Sequence, residues 1–203
     1  MLALQLPRIL SDVRLDELDD AAWHAALQSL PHPAADALPL LRWMDGPLRR
    51  IYPFERCVLV RAKCSADAVQ ITQLQQIGAD PPYLQQVREA MHLHQRGSLI
   101  WWLHHQYPFV IDERCPPAHT SAFELEEIRS FGLGRIAVHG ALDIRSRTGT
   151  LISFCGVPAK TDKWHHNALQ LIAPALSRHW LACDQTAGTK PQSPHADLSS
   201  GDS

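Results

Sequence analysis

The chain has 203 residues, of which 45% are hydrophobic and 20% are charged, and its formal net charge is −2. This composition is typical of a globular protein that forms one domain, with or without tails, and is long enough to bury a core. No run of Lys or Arg is longer than the pair Arg49 and Arg50. A free-standing nucleic-acid-binding protein usually has a concentrated basic footprint, so the composition argues against that class.

The five cysteines are an odd number, and none are spaced as Cys-x-x-Cys. Residues 1–10 are apolar, but Pro7 and Arg8 interrupt them before the apolar core of a secretory signal can form. No run approaches the roughly 18 apolar residues that a membrane helix needs. We therefore expect a cytoplasmic protein with reduced thiols and no membrane contact.

Two helices are predicted at the start of the chain. Residues 11–30 carry acidic side chains in their first half, where the helix dipole favours negative charge, and their apolar side chains fall near one stripe. Pro31 ends this helix. Residues 37–51 have apolar side chains at three- and four-residue steps, and Pro53 ends the second helix.

The middle of the chain alternates between strand and helix patterns, separated by Gly and Pro. In order, the spacing predicts a strand at 57–60, a strand at 68–74 that pairs with it, helices at 83–95 and 98–105, a brief strand at 107–112, and a helix at 122–131.

A hairpin is the clearest pattern in the sequence. Residues 136–142 and 150–157 have the alternation of strands, and the polar turn between them contains Gly149, at which we expect a positive φ. Helical patterns lie on both sides of the hairpin, which predicts a central place in a sheet covered by helices. Thr161 or Asp162 is expected to cap the last helix.

Three segments carry a resemblance to a known family. Residues 130–158 (SFGLGRIAVHGALDIRSRTGTLISFCGVP) and 169–181 (LQLIAPALSRHWL) resemble the ligand-sensing half of LuxR-type transcriptional regulators. Residues 40–60 (LLRWMDGPLRRIYPFERCVLV) are similar to the helix-then-strand opening of the same domain. The sequence looks most similar to the EpsA-type regulators associated with exopolysaccharide biosynthesis.

The resemblance implies an α/β (α+β) fold. It would be an α-β-α sandwich on a central, mainly antiparallel five-stranded sheet, related to GAF domains. In that family the domain often dimerises, and quorum-sensing members hold an acyl-homoserine lactone between the sheet and the helices. The aromatic and acidic residues that grip the lactone in those receptors do not map onto this sequence.

We divide the chain into an N-terminal helical segment (1–35), a LuxR/EpsA-like sensor domain (36–183) and a disordered polar tail (184–203). In the tail the appreciably apolar residues are Ala187, Ala196 and Leu198, which are too few to bury a core. Family members continue into a helix-turn-helix unit, which needs amphipathic helices and a basic recognition face. The tail has neither, so we expect no direct DNA binding from this chain alone.

The densest aromatic cluster is Trp101 and Trp102, which makes them candidates for a small-molecule pocket between helix and sheet. The alternative is that one tryptophan packs in the core and the other lies at a dimer surface. Trp43, Tyr52 and Tyr83 are further candidates to line the same gap.

The sequence predicts no catalytic site, metal site or cofactor. It lacks phosphate-binding glycine motifs and the G-x-S-x-G elbow, and its His and Cys residues do not have zinc-site spacing. Cys155 and His139 are candidates to be adjacent across the hairpin, although a thiol on a strand is more often a core residue than a nucleophile. Three carboxylates in the 122–131 helix are expected to form a solvated face: Glu124, Glu126 and Glu127.

We therefore hypothesise a non-enzymatic sensor domain that takes part in controlling exopolysaccharide or biofilm genes. It would act through a small ligand, or by pairing as a homodimer or as a heterodimer with a full-length regulator. The alternative is a pure interaction module, with a filled core and no ligand, that antagonises dimerisation.

Overall fold

A computed structural model describes Leu18 and residues 20–34, 36–65, 69–89 and 93–187. Seven α-helices are present in this part of the chain: α1 (Asp20–Gln28), α2 (Leu38–Trp43), α3 (Arg49–Ile51), α4 (Pro81–Glu89), α5 (Gly97–His105), α6 (Ala122–Ser130) and α7 (Asp162–Ala187). The five described strands are β1 (Arg56–Cys64), β2 (Val69–Ile77), β3 (Phe109–Ile111), β4 (Ile136–Asp143) and β5 (Thr148–Cys155).

The strands form one antiparallel sheet in the order β2-β1-β5-β4-β3. The predicted hairpin is β4–β5, and β5 is the middle strand, so its central place is confirmed. The paired strands at 57–60 and 68–74 are also confirmed, as β1 and β2.

Alternate side chains of each strand pack on opposite faces of the sheet, as the period of a strand requires. In β1, Leu59 belongs to a core shared with α1, α2 and α7, whereas Val58 and Val60 belong to a core shared with α4, α5 and α6. The predicted α-β-α sandwich is therefore confirmed. We call the two layers the α7 side and the α4–α6 side.

The predicted helix at 37–51 is helical throughout, but not as one α-helix. A π-helical segment, Met44–Leu48, joins α2 to α3 and contains Pro47. Proline has no N–H to donate, which disrupts the regular ladder of hydrogen bonds. Met44 and Leu48 are fully buried, so the segment still packs in the core.

Three further helix predictions are refined. Of the residues predicted as helix at 11–30, α1 covers Asp20–Gln28, and residues 11–17 and 19 lie outside the described part. The helix predicted at 83–95 is α4 as far as Glu89, and Leu93–Gln95 form a 3₁₀ turn. The last helix is capped by Thr161, whose Oγ1 accepts the Trp164 N–H at 3.2 Å.

The hairpin turn differs from the prediction. The residue with positive φ is Arg147 (φ 52°), and Gly149 lies inside β5 opposite Leu142. The Asp143 carboxylate accepts the Arg145 N–H at 2.9 Å and so organises the loop before Gly149 is reached. The glycine is needed instead for close approach, because a Cβ there would lie 3.0 Å from the Ala141 carbonyl oxygen.

The C-terminal helix α7 is 26 residues long and runs to Ala187, beyond the predicted start of the polar tail. Residues 188–203 lie outside the described part, so disorder there stays a prediction. None of the described helices is both long enough and apolar enough to cross a membrane.

Candidate functional site

A cavity of about 80 Å³ lies between the sheet and the helices of the α4–α6 side. The strands line it with apolar side chains, among them Val58, Val60, Ile111, Ile136, Val138 and Leu151. The helices complete the wall with Tyr83, Val87, Leu99 and Ile128. This cavity has the concave, mostly apolar character of small-molecule sites.

One part of the cavity wall carries a buried ion pair. The two guanidinium Nη atoms of Arg96 donate to the two carboxylate oxygens of Glu127, with an Nη2–Oε1 distance of 2.8 Å. The Arg96 side chain is 12% exposed and that of Glu127 is 5% exposed. Burial lowers the pKa of Arg96, but the hydrogen bonds and charge of Glu127 outweigh burial and raise it above its usual value. The pair is therefore a fixed, charged part of the wall.

Glu124 contributes a second buried carboxylate to the wall. It accepts the backbone N–H of Ser121, its partner in a capping box at the start of α6, at 2.8 Å. It also accepts the N–H of Ser98 in the first turn of α5, at 3.2 Å. One carboxylate thus satisfies backbone donors at the start of two helices, where the helix dipoles favour negative charge.

The expectation of a solvated acidic face on this helix is wrong for two of its three residues. Glu124 and Glu127 are each 5% exposed, and only Glu126 faces solvent. The spacing Ser-x-x-Glu at 121–124 is a capping-box signature. This pattern could have predicted that Glu124 bonds to the start of the helix instead of facing solvent. Glu127 carries no comparable local signal, since its partner Arg96 is distant in sequence.

Tyr83 is the predicted site residue that lines the cavity. Its ring packs 5.3 Å from that of Phe131. Its hydroxyl donates to Cys155, and burial raises the pKa of both groups, to about 12 for the thiol. Both side chains are therefore uncharged at neutral pH.

Trp102 is buried in the same core and lines a smaller neighbouring cavity of about 20 Å³. Its indole N–H donates to Nδ1 of His139 at 3.2 Å. Burial, and then the nearby His166, lower the pKa of His139 to about 4, so its ring stays neutral and accepts. The alternative reading, with one tryptophan in the core, describes this residue well.

Trp101 is half-buried and packs at the edge of the same core. Its indole stacks with the rings of His105 and His119, whose centroids are 4.5 and 4.6 Å away. Phe109, which does line the main cavity, meets the indole edge-on. Trp101 thus supports the cavity wall through Phe109.

Trp43 and Tyr52 lie on the α7 side, so the expectation that all five aromatic residues line one gap is wrong. The hydroxyl of Tyr52 donates to Nδ1 of His165 at 2.9 Å, and Nε2–H of His165 donates to the Pro158 carbonyl at 3.1 Å. The carbonyl can only accept, which fixes these directions. Alternation along the chain does not reveal which face of the sheet an aromatic residue outside the strands will reach.

The remaining chemical candidates do not assemble into a reactive site. Cys155 is opposite Ile136 in the hairpin and His139 is opposite Ile152, so the proposed Cys–His adjacency is wrong. Within the described residues, no group of three or more His, Cys, Asp or Glu side chains is placed to hold a metal ion.

No protein-family model matches the sequence, and no curated protein is detectably similar to it. Solved structures do match. The N-acylhomoserine lactone-dependent LuxR family transcription factor CepR2 from Burkholderia cenocepacia aligns with a TM-score of 0.57 and 13% identity, over 84% of this chain and 98% of that one. SdiA from Escherichia coli aligns with a TM-score of 0.57 and 14% identity, over 88% of this chain and 72% of that one.

The chromophore-binding domain of the bacteriophytochrome RpBphP3 from R. palustris gives a TM-score of 0.51 and 15% identity, over 81% of this chain and 60% of that one. The fold is LuxR-sensor-like and GAF-like. At these identities the likeness concerns the fold alone. None of the matches bears on the EpsA-type assignment, which stays a prediction.

Proposed function

We propose that this chain is a sensor domain that binds a small molecule between the sheet and α4–α6. The observation that carries the proposal is the apolar cavity of about 80 Å³ with a buried ion pair in its wall. Buried charges are costly unless they are paired, and they commonly mark functional sites. The carboxylate of Glu124 is held by helix-capping contacts, and Arg96 and Glu127 are held by each other. Polar groups fixed in this way can bind and orient a ligand, and this arrangement supports a non-catalytic role.

We further propose that this sensor domain is part of a LuxR/EpsA-like system that regulates exopolysaccharide or biofilm genes and responds in the manner of quorum sensing. Its support is the sequence resemblance of residues 40–60, 130–158 and 169–181. The fold likeness to a LuxR family transcription factor is compatible with it. We place the protein in the cytoplasm on the same grounds.

We also propose that the chain acts as a homodimer, or as a heterodimer with a full-length regulator. The support for this proposal is the family resemblance, because domains of that family often dimerise. The net charge of −2 supports the further proposal that this chain does not bind DNA by itself.

The test is a methyl-NMR titration of the purified protein with the small-molecule extract of its host, alongside native mass spectrometry for bound mass and assembly. We expect the methyl signals of Val58 and Val138 to shift, because both line the cavity. Leu176, on the α7 side, is the internal control and should not move. No shift at the cavity methyls, together with no bound mass, would contradict ligand binding.

A second candidate function is a pure protein-interaction module. It is favoured by the small size of the cavity, since ligand sites are commonly about 300–1,000 Å³. On this hypothesis the α4–α6 side is core, and the protein acts by pairing with a regulator and blocking its dimerisation. A silent titration combined with a co-purifying regulator would select this candidate.

A further inference from the structure

We propose that the ligand is a compact, uncharged or cationic molecule of roughly five non-hydrogen atoms or fewer, with a hydrogen-bond donor at one end and an apolar body. Carboxylates and other anions are excluded. The inference rests on the proposed function and names the class of ligand for the same cavity.

The size limit follows from the volume. A dry cavity of about 150 Å³ takes one benzene molecule, and this cavity has about 80 Å³. Much of its wall is β-branched side chains on paired strands, such as Val58, Val138 and Ile136, which have little rotamer freedom. A long acyl chain would require the helices to separate from the sheet.

The charge preference follows from the groups around the cavity. One guanidinium, Arg96, faces two carboxylates, Glu124 and Glu127, so the wall carries a net charge of −1. Burial lowers the pKa of His119, the imidazole whose charge would act on Glu124, so it adds no positive charge at neutral pH. In a buried, weakly polarisable site an added anion is repelled strongly, whereas a cation or a neutral donor is not.

Glu124 offers the acceptor for the donor end of the ligand. Both oxygens of Glu127 are bonded to Arg96. Oε2 of Glu124 accepts the Ser121 N–H at 2.8 Å and lies 3.0 Å from the Ser121 hydroxyl. Among the described residues, only the Ser98 N–H donates to Oε1, at 3.2 Å, and a carboxylate oxygen has capacity for a second donor.

The experiment compares three probes with nearly the same branched body: isobutylamine, isobutanol and isobutyrate. Binding is measured by the shifts of the cavity methyls on titration. We expect the amine and the alcohol to bind and the carboxylate to bind at least tenfold more weakly. Octanoyl-homoserine lactone is the fourth probe and is expected to leave the cavity methyls unmoved.

Glu124→Gln keeps an acceptor oxygen but removes the charge, so it should weaken amine binding about tenfold and leave alcohol binding almost unchanged. Glu126→Gln, on the solvent face of the same helix, is the matched control and should change neither. Because Glu124 also caps two helices, Val138→Ile is a second variant. It fills the cavity without changing its charge and should abolish binding of both probes.

Isobutyrate binding as tightly as the amine, or the lactone shifting the cavity methyls, would overturn the inference while leaving a ligand-binding cavity in place. If none of the four probes binds, the inference is also overturned. The proposed function then depends separately on the host-extract titration, which uses no assumption about ligand class.

Discussion

On the α7 side of the sheet two sets of buried polar side chains are neutral and joined by hydrogen bonds, whereas on the α4–α6 side a charged pair and a second buried carboxylate border a cavity. Tyr52, His165 and the Pro158 carbonyl form one chain on the α7 side, and Thr150 and Ser177 form another, with an Oγ–Oγ distance of 2.6 Å. The ion pair of Arg96 and Glu127 is the counterpart on the α4–α6 side. The same sheet thus supports two different kinds of interior.

The difference bears on the proposed ligand site. Burial raises the pKa of Tyr52 and lowers that of His165 to about 4, so neither group carries charge at neutral pH. Neutral, fully paired groups add specificity to a core and cost little. Buried charges beside empty space cost more, and we attribute them to a ligand. Four predictions test this contrast.

The largest expected effect comes from breaking the buried ion pair. Arg96→Met leaves the carboxylate of Glu127 buried without a partner and should lower the free energy of unfolding by about 3–5 kcal/mol. Urea unfolding followed by circular dichroism measures the loss. The double variant Arg96→Met/Glu127→Leu should recover most of it, because the uncompensated charge is gone.

Arg129→Met is the matched control. It removes an exposed ion pair with Glu113, whose Nε–Oε1 distance is also 2.8 Å, and should have a negligible effect because solvent screens the charges. Equal losses for the two single variants would mean that the α4–α6 side is no less solvated than the surface, and the contrast between the two sides would fail.

The second prediction concerns acid. His139 and His165 each have a pKa of about 4 in the folded protein against 6.5 when unfolded, mainly because burial disfavours the charged ring. Above pH 7 the two imidazole rings are unprotonated in both the folded and the unfolded protein. Between pH 6.5 and 4 the unfolded state binds protons first, so the free energy of unfolding should fall, by at most on the order of 3 kcal/mol for each histidine.

Urea unfolding at several pH values between 7.5 and 4 measures this loss. His139→Gln and His165→Gln each remove one titrating ring, and each should flatten the pH dependence by its own share. His165 belongs to the α7 side, whereas His139 bonds to Trp102 of the other side. A difference between the two variants in the pH-dependent loss of stability would therefore compare the two sides directly. A profile unchanged by either variant would show that these rings titrate normally.

The third prediction compares one substitution on both sides. Leu176→Ala on α7 removes a fully buried side chain from a close-packed core and should cost about 4 kcal/mol. Leu99→Ala on α5 removes a side chain that already borders the cavity and should cost about 2 kcal/mol. Equal losses in urea unfolding would show that the two cores are equally well packed.

Local patterns in the sequence were sufficient to predict a central hairpin in a sheet covered by helices, whereas the five-stranded α-β-α sandwich was implied by the family resemblance. Alternation in 136–142 and 150–157 identified the central hairpin, and Thr161 was one of the two residues predicted to cap the last helix. These features depend on neighbours within a few residues, which is the range over which side-chain periodicity and capping act.

The site was harder to predict because its contacts are distant in sequence. Arg96 and Glu127 meet only after α5 and α6 have packed on the sheet, and nothing near either residue specifies the other. The aromatic candidates failed for a similar reason. Tyr52 and Tyr83 both follow or lie in helices, yet they pack on opposite faces of the sheet.

The smallest expected effect lies in the hairpin that both sides share. Arg147 has a φ of 52°, a conformation that costs a residue with a Cβ about 1–2 kcal/mol and costs glycine almost nothing. Glycine loses more chain entropy on folding, by about 0.5–1 kcal/mol, so Arg147→Gly should stabilise the protein by about 1 kcal/mol or less. Arg145→Gly, in the same turn but without a positive φ, should instead destabilise it slightly.

Hydrogen exchange on the α7 and α5 amides reports whether a gain at Arg147 reaches both layers. Because β4 and β5 pack against both sides, protection should rise equally in α5 and α7 if the domain unfolds as one cooperative unit. A rise confined to α7 would mean that the α4–α6 side opens independently of the hairpin. The cavity would then lie in the less stable half of the domain, where a ligand contributes most to order.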